Sequence, residues 1–423
     1  MSARRAGTSA VPLRAMLAAN AISNLGNQFS NIAIPWFVLE TTGSAGKTGL
    51  VAAAGLVPLI VAGALGGGIV ERVGYRRMAV VSDLASGLSV AAIPALYLAG
   101  WLPFGVLLAL VFLGALLDAP GITARQSLYP DLAAMSGMPL ERANSLWMIA
   151  RRVAAMFGAP LAGAAIAVIG ADGALLVNAA SFGISAALLL AGIPAVAAVA
   201  SGRRERYLDE LAAGLRFVRG DRLLVWMIVM SALGSLLAEP LYAVVLPVYA
   251  RDVLGSALDL GLMYSALGAG SIVGAVIYAV RGYRLPRRLI YVGGFTVRAL
   301  TFWVLVAVPP LWVVAGSIVV NAVSLEPANP LSMTVMQERI PEQMRGRVFG
   351  LIAAISLAAG PVGMIAYGLL LQQVGLQQTI LFMAVANCTV VAAMWLVPAF
   401  HQMHAPVPGT LDGRPALALK EAA

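Results

Sequence analysis

The sequence predicts an all-α membrane protein of twelve transmembrane helices in two pseudo-symmetric six-helix bundles, and three observations predict it. Hydrophobic residues make up 60% of the 423 and charged residues only 11%, against about 25% charged in ordinary soluble domains. So few charges cannot cover the roughly three soluble domains that this length would otherwise suggest. Twelve apolar runs approach or exceed the ~20 residues needed to cross a hydrocarbon layer of about 30 Å. Finally, the two halves of the chain share short motifs at a common offset. Cys388 is the only cysteine, which excludes an intrachain disulfide scaffold. The first apolar run continues to helix length without an A-x-A exit, so no cleavable signal peptide is expected.

Taken in order, the runs fall at residues 13–39, 48–70, 78–99, 104–122, 143–170, 173–196, 223–249, 260–280, 288–308, 311–336, 348–371 and 376–399. An even number puts both ends on one side. The Lys and Arg outside these cores divide 25 to 2 between the faces, with Lys47 and Arg251 alone on the sparse face and Arg298 inside a helix. Such a bias predicts cytoplasmic termini, in a cell membrane that is the inner or plasma membrane of a bacterium. The 26 Arg to 2 Lys suit a GC-rich genome. The net charge of +9 then sets topology and meets anionic lipid headgroups. No exposed basic face with aromatic or helical readers points to nucleic acid.

The longest cytoplasmic connection, 197–222, is polar and Arg-rich. It divides an N-terminal bundle, 1–196, from a C-terminal bundle, 223–399, and residues 400–423 form a cytoplasmic tail. GSAGKTGL at 43–50 is echoed by GSALDLGL at 255–262, an offset of 212 that also carries Pro35 onto Pro247, while GYR at 74–76 recurs at 282–284. Parallel repeats of this kind place the substrate site at their interface.

Within the helices, Asn20, Asn24, Asn27 and Asn31 recur at steps of four, three and four, which places four amides along one stripe of helix 1. Amides facing lipid would be unsatisfied, so the stripe lines a wet cavity or bonds neighbouring helices. Asp83, Asp118, Glu239, Glu326 and Arg298 also fall in predicted helices, where a central charge costs roughly 2.5–3.5 kcal/mol on insertion scales. Glu239 lies deepest, about 16 residues or ~24 Å into helix 7. Its repeat mate under the 212 offset is Asn27. It either titrates or caps a helix break beside Pro240. Glu326 and Arg298 form a structural pair or share in transport. Gly261, Gly268, Gly270 and Gly274 in helix 8 and Gly350, Gly360, Gly363 and Gly368 in helix 11 let helices approach closely. His401 and His404 are too few for a metal site. Phosphate-binding loops and Walker sequences are absent, so ATP does not drive the chemistry.

GGIVERVGYRR, residues 67–77, resembles the cytoplasmic signature of the major facilitator superfamily, G-x-x-x-D-R-x-G-R-R/K. Gly67, Arg72, Gly74 and Arg76 match, whereas Glu71 replaces Asp and Tyr75 replaces Arg. Residues 20–46, 116–132 and 337–350 resemble the superfamily's drug and natural-product exporters, macrolide-efflux-like and siderophore-exporter-like members included. FGAPLAG at 157–163 resembles the Gly-Pro motif of antiporters only in part, lacking its full set of glycines.

The resemblance implies a secondary transporter that exports amphipathic small molecules against proton entry by alternating access. The cytoplasmic gate would hold Gly67, Glu71, Arg72, Gly74, Arg76 and Arg77, with Asp83 and Asp118 paired to the Arg cluster. The substrate and proton path would hold the four asparagines, Glu239, Glu326 and Arg298. In the resembled exporters the position of Asn27 is often Asp. The proton gradient would be the energy source, with no cofactor and no metal, and the chain a monomer among lipids. An uptake symporter is the alternative within the same fold. A membrane receptor or scaffold lacks the soluble domain it would need, and an enzyme lacks a cluster of catalytic side chains.

Overall fold

In a computed structural model, the chain is described over residues 9–194, 215–280, 285–404, 410–411 and 414–415, with only backbone for a few stretches such as 61–69. Most of the expected linker 197–222 and most of the tail lie outside the described residues. Among those that are described, the helices run α1 Val11–Thr42, α2 Ala45–Val73, α3 Tyr75–Leu98 and α4 Phe104–Met135. Leu140–Gly192 is continuous by hydrogen bonding but breaks at Gly170, with φ 77° and ψ 169°; no residue with a Cβ adopts that conformation readily. It therefore counts as α5, 140–169, and α6, 171–192. Next come α7 Arg222–Leu254, α8 Ala257–Val280, α9 Arg287–Val306 and α10 Leu311–Arg339. The last two are α11 Glu342–Val374 and α12 Leu376–Leu396. A 3-10 segment, Pro398–His404, and a two-residue strand pair, Thr410–Leu411 with Arg414–Pro415, follow.

Local chemistry sets these boundaries. Gly43 takes the left-handed conformation (φ 63°) that closes α1, its N–H bonded to Leu39 O, and the Ser44 hydroxyl accepts the Lys47 N–H at 3.2 Å to start α2. In α10 the α-helical stretch Leu311–Leu325 gives way to a turn at Glu326–Pro327 before Ala328–Arg339 resumes. Most of these helices are long and apolar enough to cross a membrane. Large side chains such as Leu98, Val168, Trp312 and Leu396 are exposed on their outer faces. In water such faces would aggregate; in a bilayer they meet lipid.

The chain packs into two compact units: Met1–Arg204 with Ala238–Gly268 and Gly360–Leu376, and Glu205–Leu237 with Ala269–Ala359 and Gln377–Ala423. The first therefore combines α1–α6 with the portions of α7, α8 and α11 near the arginine-poor face. Its core gathers Leu13, Met16, Leu128, Leu132 and Leu189, all almost fully buried. The second unit is centred on Leu223, Leu224, Met227, Val292, Val348 and Phe400. Arg339 clasps it, donating to Asp221 Oδ2 and to Gln402 O, each at 2.7 Å. Asp221 also caps α7, accepting the Leu223 N–H at 2.8 Å.

Candidate functional site

Within the first unit, α1, α2, α4, α7, α8 and α11 line an open cavity of about 350 Å³. Its polar lining is Gln28, Ser30, Asn31, Glu239, Tyr242 and Tyr264; its apolar lining includes Ile32, Val51, Leu56, Val111 and Met364. Glu239 is the one charged residue among the described lining. A mixed wall with a few placed polar groups is the usual build of a small-molecule site.

The asparagine stripe divides along its length. Only Asn31 of the four reaches the cavity, beside Gln28. Asn24 donates to Asn20 O on its own helix at 2.7 Å, and Asn20 is buried among other side chains. Asn27, half-buried, is not part of the lining. Ser30, on the opposite edge, accepts from Asn178 Nδ2 of α6 at 2.5 Å. Gly158 on α5 makes room for Gln28: a Cβ there would fall 2.7 Å from Gln28 Cβ and Cγ.

Glu239 is placed by an irregular stretch of α7. Leu241–Val245 and Ala250–Leu254 are π-turns, a feature that recurs at functional sites. The Leu246 N–H is committed to Leu241 O, five residues back. In that register the next donor, for Tyr242 O, would be residue 247, which is proline and has no N–H. The Tyr264 hydroxyl of α8 donates to Tyr242 O instead, at 2.5 Å, and the two tyrosine rings lie tilted with centroids 6.2 Å apart. Composition and spacing gave no warning of these tyrosines, since aromatic residues pack cores equally well.

Near the arginine-poor ends of these helices lie two backbone-to-backbone helix contacts. On the α2–α11 side, a Cβ on Gly368 would lie 2.9 Å from Ala45 O, and one on Gly49 would overlap Met364 O. On the α5–α8 side, a Cβ on Gly163 would lie 2.6 Å from Ala257 O, and one on Gly261 would lie 2.7 Å from Ala159 O. The residues correspond: 49 and 45 map to 261 and 257 at offset 212, while 163 and 159 map to 368 and 364 at offset 205. Ser44 Oγ also bonds Gln372 Oε1 across the first contact, at 3.2 Å.

The remaining expected residues lie elsewhere. Asp83, fully buried, pairs with Arg125 of α4; the sequence suggests instead the cluster of Arg72, Arg76 and Arg77, of which the Arg72 side chain lies outside the described residues. The reason is packing: α3 and α4 lie side by side, with Gly121 against Ser82 and the Ser86 hydroxyl bonded to Gly114 O at 3.1 Å. Asp118 is half-buried on α4, and its Oδ1 has no hydrogen-bond partner among the described residues. Arg76 bonds Leu189 O and Leu190 O at 3.4 and 2.5 Å, so it closes the C-terminal end of α6. Gly74 ends α2 with φ 88°, and Arg77 is exposed. Gly67, Glu71 and Arg72 lie on α2, with their side chains outside the described set.

Glu326 and Arg298 both belong to the second unit, and the salt bridges among the described residues do not include the pair considered from sequence. Glu326 stands at the α10 turn facing Gly274 of α8, where a Cβ would lie 3.1 Å from its own. Arg298 is buried, its guanidinium 5.9 Å from the Phe302 ring.

A bundle of apolar helices around a cavity that mixes amides, tyrosines, one carboxylate and apolar walls defines a multi-pass membrane transporter rather than an enzyme. The chain matches the family described as transmembrane secretion effector over residues 7–411, and it belongs to that family of the major facilitator superfamily. It is 33% identical to the multidrug efflux pump Tap of Mycobacterium tuberculosis over 403 residues, covering 93% of this chain and 94% of the relative. To macrolide efflux protein A of Streptococcus pyogenes it is 22% identical over 371 residues, covering 85% and 89%. Among solved structures, the nucleoside transporter NupG aligns with a TM-score of 0.75 at 11% identity, over 91% of this chain and 98% of that one. A bacterial homologue of ferroportin aligns with a TM-score of 0.70 at 18% identity, over 93% and 98%. At these identities the structural likeness establishes the major facilitator fold.

Proposed function

We propose that the protein is a proton-coupled exporter that moves amphipathic small molecules, drugs or natural products, out of the cytoplasm by alternating access. The efflux relatives support the direction, and the cavity's apolar walls with a few amides and phenols support the amphipathic character of the cargo. The 25-to-2 distribution of basic residues supports cytoplasmic termini in a bacterial inner membrane. In this reading the halves 1–196 and 223–399, joined by 197–222, rock about the cavity. The proton gradient supplies the energy without a cofactor, and the chain works as a monomer surrounded by lipid.

The observation that carries the proposal is Glu239, a carboxylate on the wall of a cavity with no other charge among its described lining. Low-polarity surroundings favour the neutral acid and water favours the anion, so access from alternating sides loads and unloads a proton. Glu239 takes a proton from outside, releases it to the cytoplasm, and the cargo leaves in exchange. The test is export from proteoliposomes with an imposed pH gradient, assayed with a panel of dyes and antibiotics. Glu239→Gln is expected to lose gradient-driven export and its pH dependence; full export with an unchanged pH profile refutes the proposal.

A further inference from the structure

We infer that Tyr264 is a positioning residue for Glu239, acting through the π-turn of α7; this rests on the coupling role proposed above. A π-turn holds one residue more per turn than an α-turn. Removing it would rotate everything on one side by about 100° relative to the other. The turn at Leu241–Val245 begins two residues after Glu239, so its register decides where the carboxylate points relative to the rest of the helix. The turn persists only if the backbone groups it displaces find partners, because an unmet carbonyl away from water is costly.

Three residues resolve that requirement together. Pro247 removes the N–H that would meet Tyr242 O in the π register. Leu246 N–H is already given to Leu241 O. Tyr264 reaches across from α8 and donates to Tyr242 O at 2.5 Å. Tyr264 is itself in the cavity wall with Glu239 and Tyr242, so the hydroxyl that stabilises the turn also borders the group the turn aims. Pro247 selects the need and Tyr264 meets it. The side chain works through the backbone, and substrate need not touch the hydroxyl.

The test separates this role from packing and from direct substrate contact. Purified protein is titrated by infrared spectroscopy, following the carboxyl band that disappears in Glu239→Gln, and ethidium transport is measured in parallel. Tyr264→Phe keeps the ring and removes the donor. It is expected to move the midpoint of the Glu239 band away from that of the unsubstituted protein and to reduce transport several-fold at unchanged protein level. Adding Pro247→Ala restores an N–H at 247 that can meet Tyr242 O. The double variant Tyr264→Phe/Pro247→Ala is therefore expected to return to the midpoint of Pro247→Ala alone.

An unchanged midpoint in Tyr264→Phe overturns the inference, as does a shifted midpoint that Pro247→Ala fails to restore. If Tyr264→Phe alone does not accumulate, the comparison within the Pro247→Ala background decides, since there the hydroxyl should be dispensable. Should Glu239→Gln keep its pH-dependent export, the coupling role falls, while the infrared midpoint still decides whether Tyr264 positions the carboxylate.

Discussion

Gly261→Ala perturbs the backbone-to-backbone contact between α5 and α8 near their arginine-poor ends. The added Cβ would stand 2.7 Å from Ala159 O, against 3.4 Å for ordinary contact, so α5 and α8 must separate by about 0.7 Å there. The obstacle is backbone on both sides, with Pro160 Cα 3.1 Å away, and no flexible side chain can yield. Overpacking of this kind costs typically about 1–3 kcal/mol. That cost falls only on the state in which the helices touch, so the equilibrium shifts toward the separated state by roughly 5–150-fold.

The assay is alkylation of a single cysteine at Ala52, on the cavity wall, in a Cys388→Ala background, with a membrane-impermeant reagent added from the arginine-poor side. Gly261→Ala is expected to accelerate labelling within that range and to slow transport. Ranked by overlap, Gly49→Ala should exceed Gly163→Ala, then Gly261→Ala, then Gly368→Ala. Gly316→Ala, at a position open on all sides, is the control. Labelling and transport both unchanged in Gly49→Ala and Gly261→Ala would refute the reasoning.

Asp83→Ala leaves the buried Arg125 guanidinium without its carboxylate, a loss of about 3–5 kcal/mol, read as a large fall in the melting temperature of the detergent-solubilised protein. Asp83→Ala/Arg125→Met should recover most of it, and a double variant no more stable than the single would count against the pair. Arg339→Ala should release both Asp221 and Gln402 O, two bonds from a charged donor worth about 1.5–3 kcal/mol each, and lower the same melting temperature. Limited proteolysis should then cut within 398–404 sooner, and an unchanged digestion pattern would mean that the clasp does not hold that segment.

The helices were legible because a membrane imposes length and composition so strictly. Their ends were less so. The run predicted to stop at 122 continues to Met135, since ITARQSLYPDL leaves the apolar window without leaving the helix. The break between the fifth and sixth spans falls at Gly170, the last residue of the fifth predicted run. Residue types that are costly in lipid drew attention to Glu239 and Asn31, and both line the cavity. Site chemistry was illegible where a partner lies on another helix. Asp83 was assigned to the Arg cluster nearest in sequence, whereas helix packing gives it Arg125, 42 positions away. The amide stripe overstated the cavity because periodicity cannot tell an amide facing a void from one bonded to its own backbone, as Asn24 is.

The repeat is kept and broken in different places, and each follows from the task of the residues involved. The close contacts are conserved between the halves down to matching carbonyls, Ala45 with Ala257 and Met364 with Ala159. Each contact brings backbone against backbone, so a Cβ on either glycine of a pair spoils it. The cavity wall is not symmetric. The mate of Glu239 is Asn27, that of Tyr242 is Ser30 and that of Tyr264 is Ala52. A second carboxylate facing the first would raise the cost of ionising either. Pro35 and Pro247 are matched too, yet α1 stays α-helical through Pro35 while α7 takes a π-turn just before Pro247. The difference lies at the partner position: tyrosine at 264 can donate to the backbone and alanine at 52 cannot. A tyrosine placed at Ala52 would test whether the partner alone dictates the register.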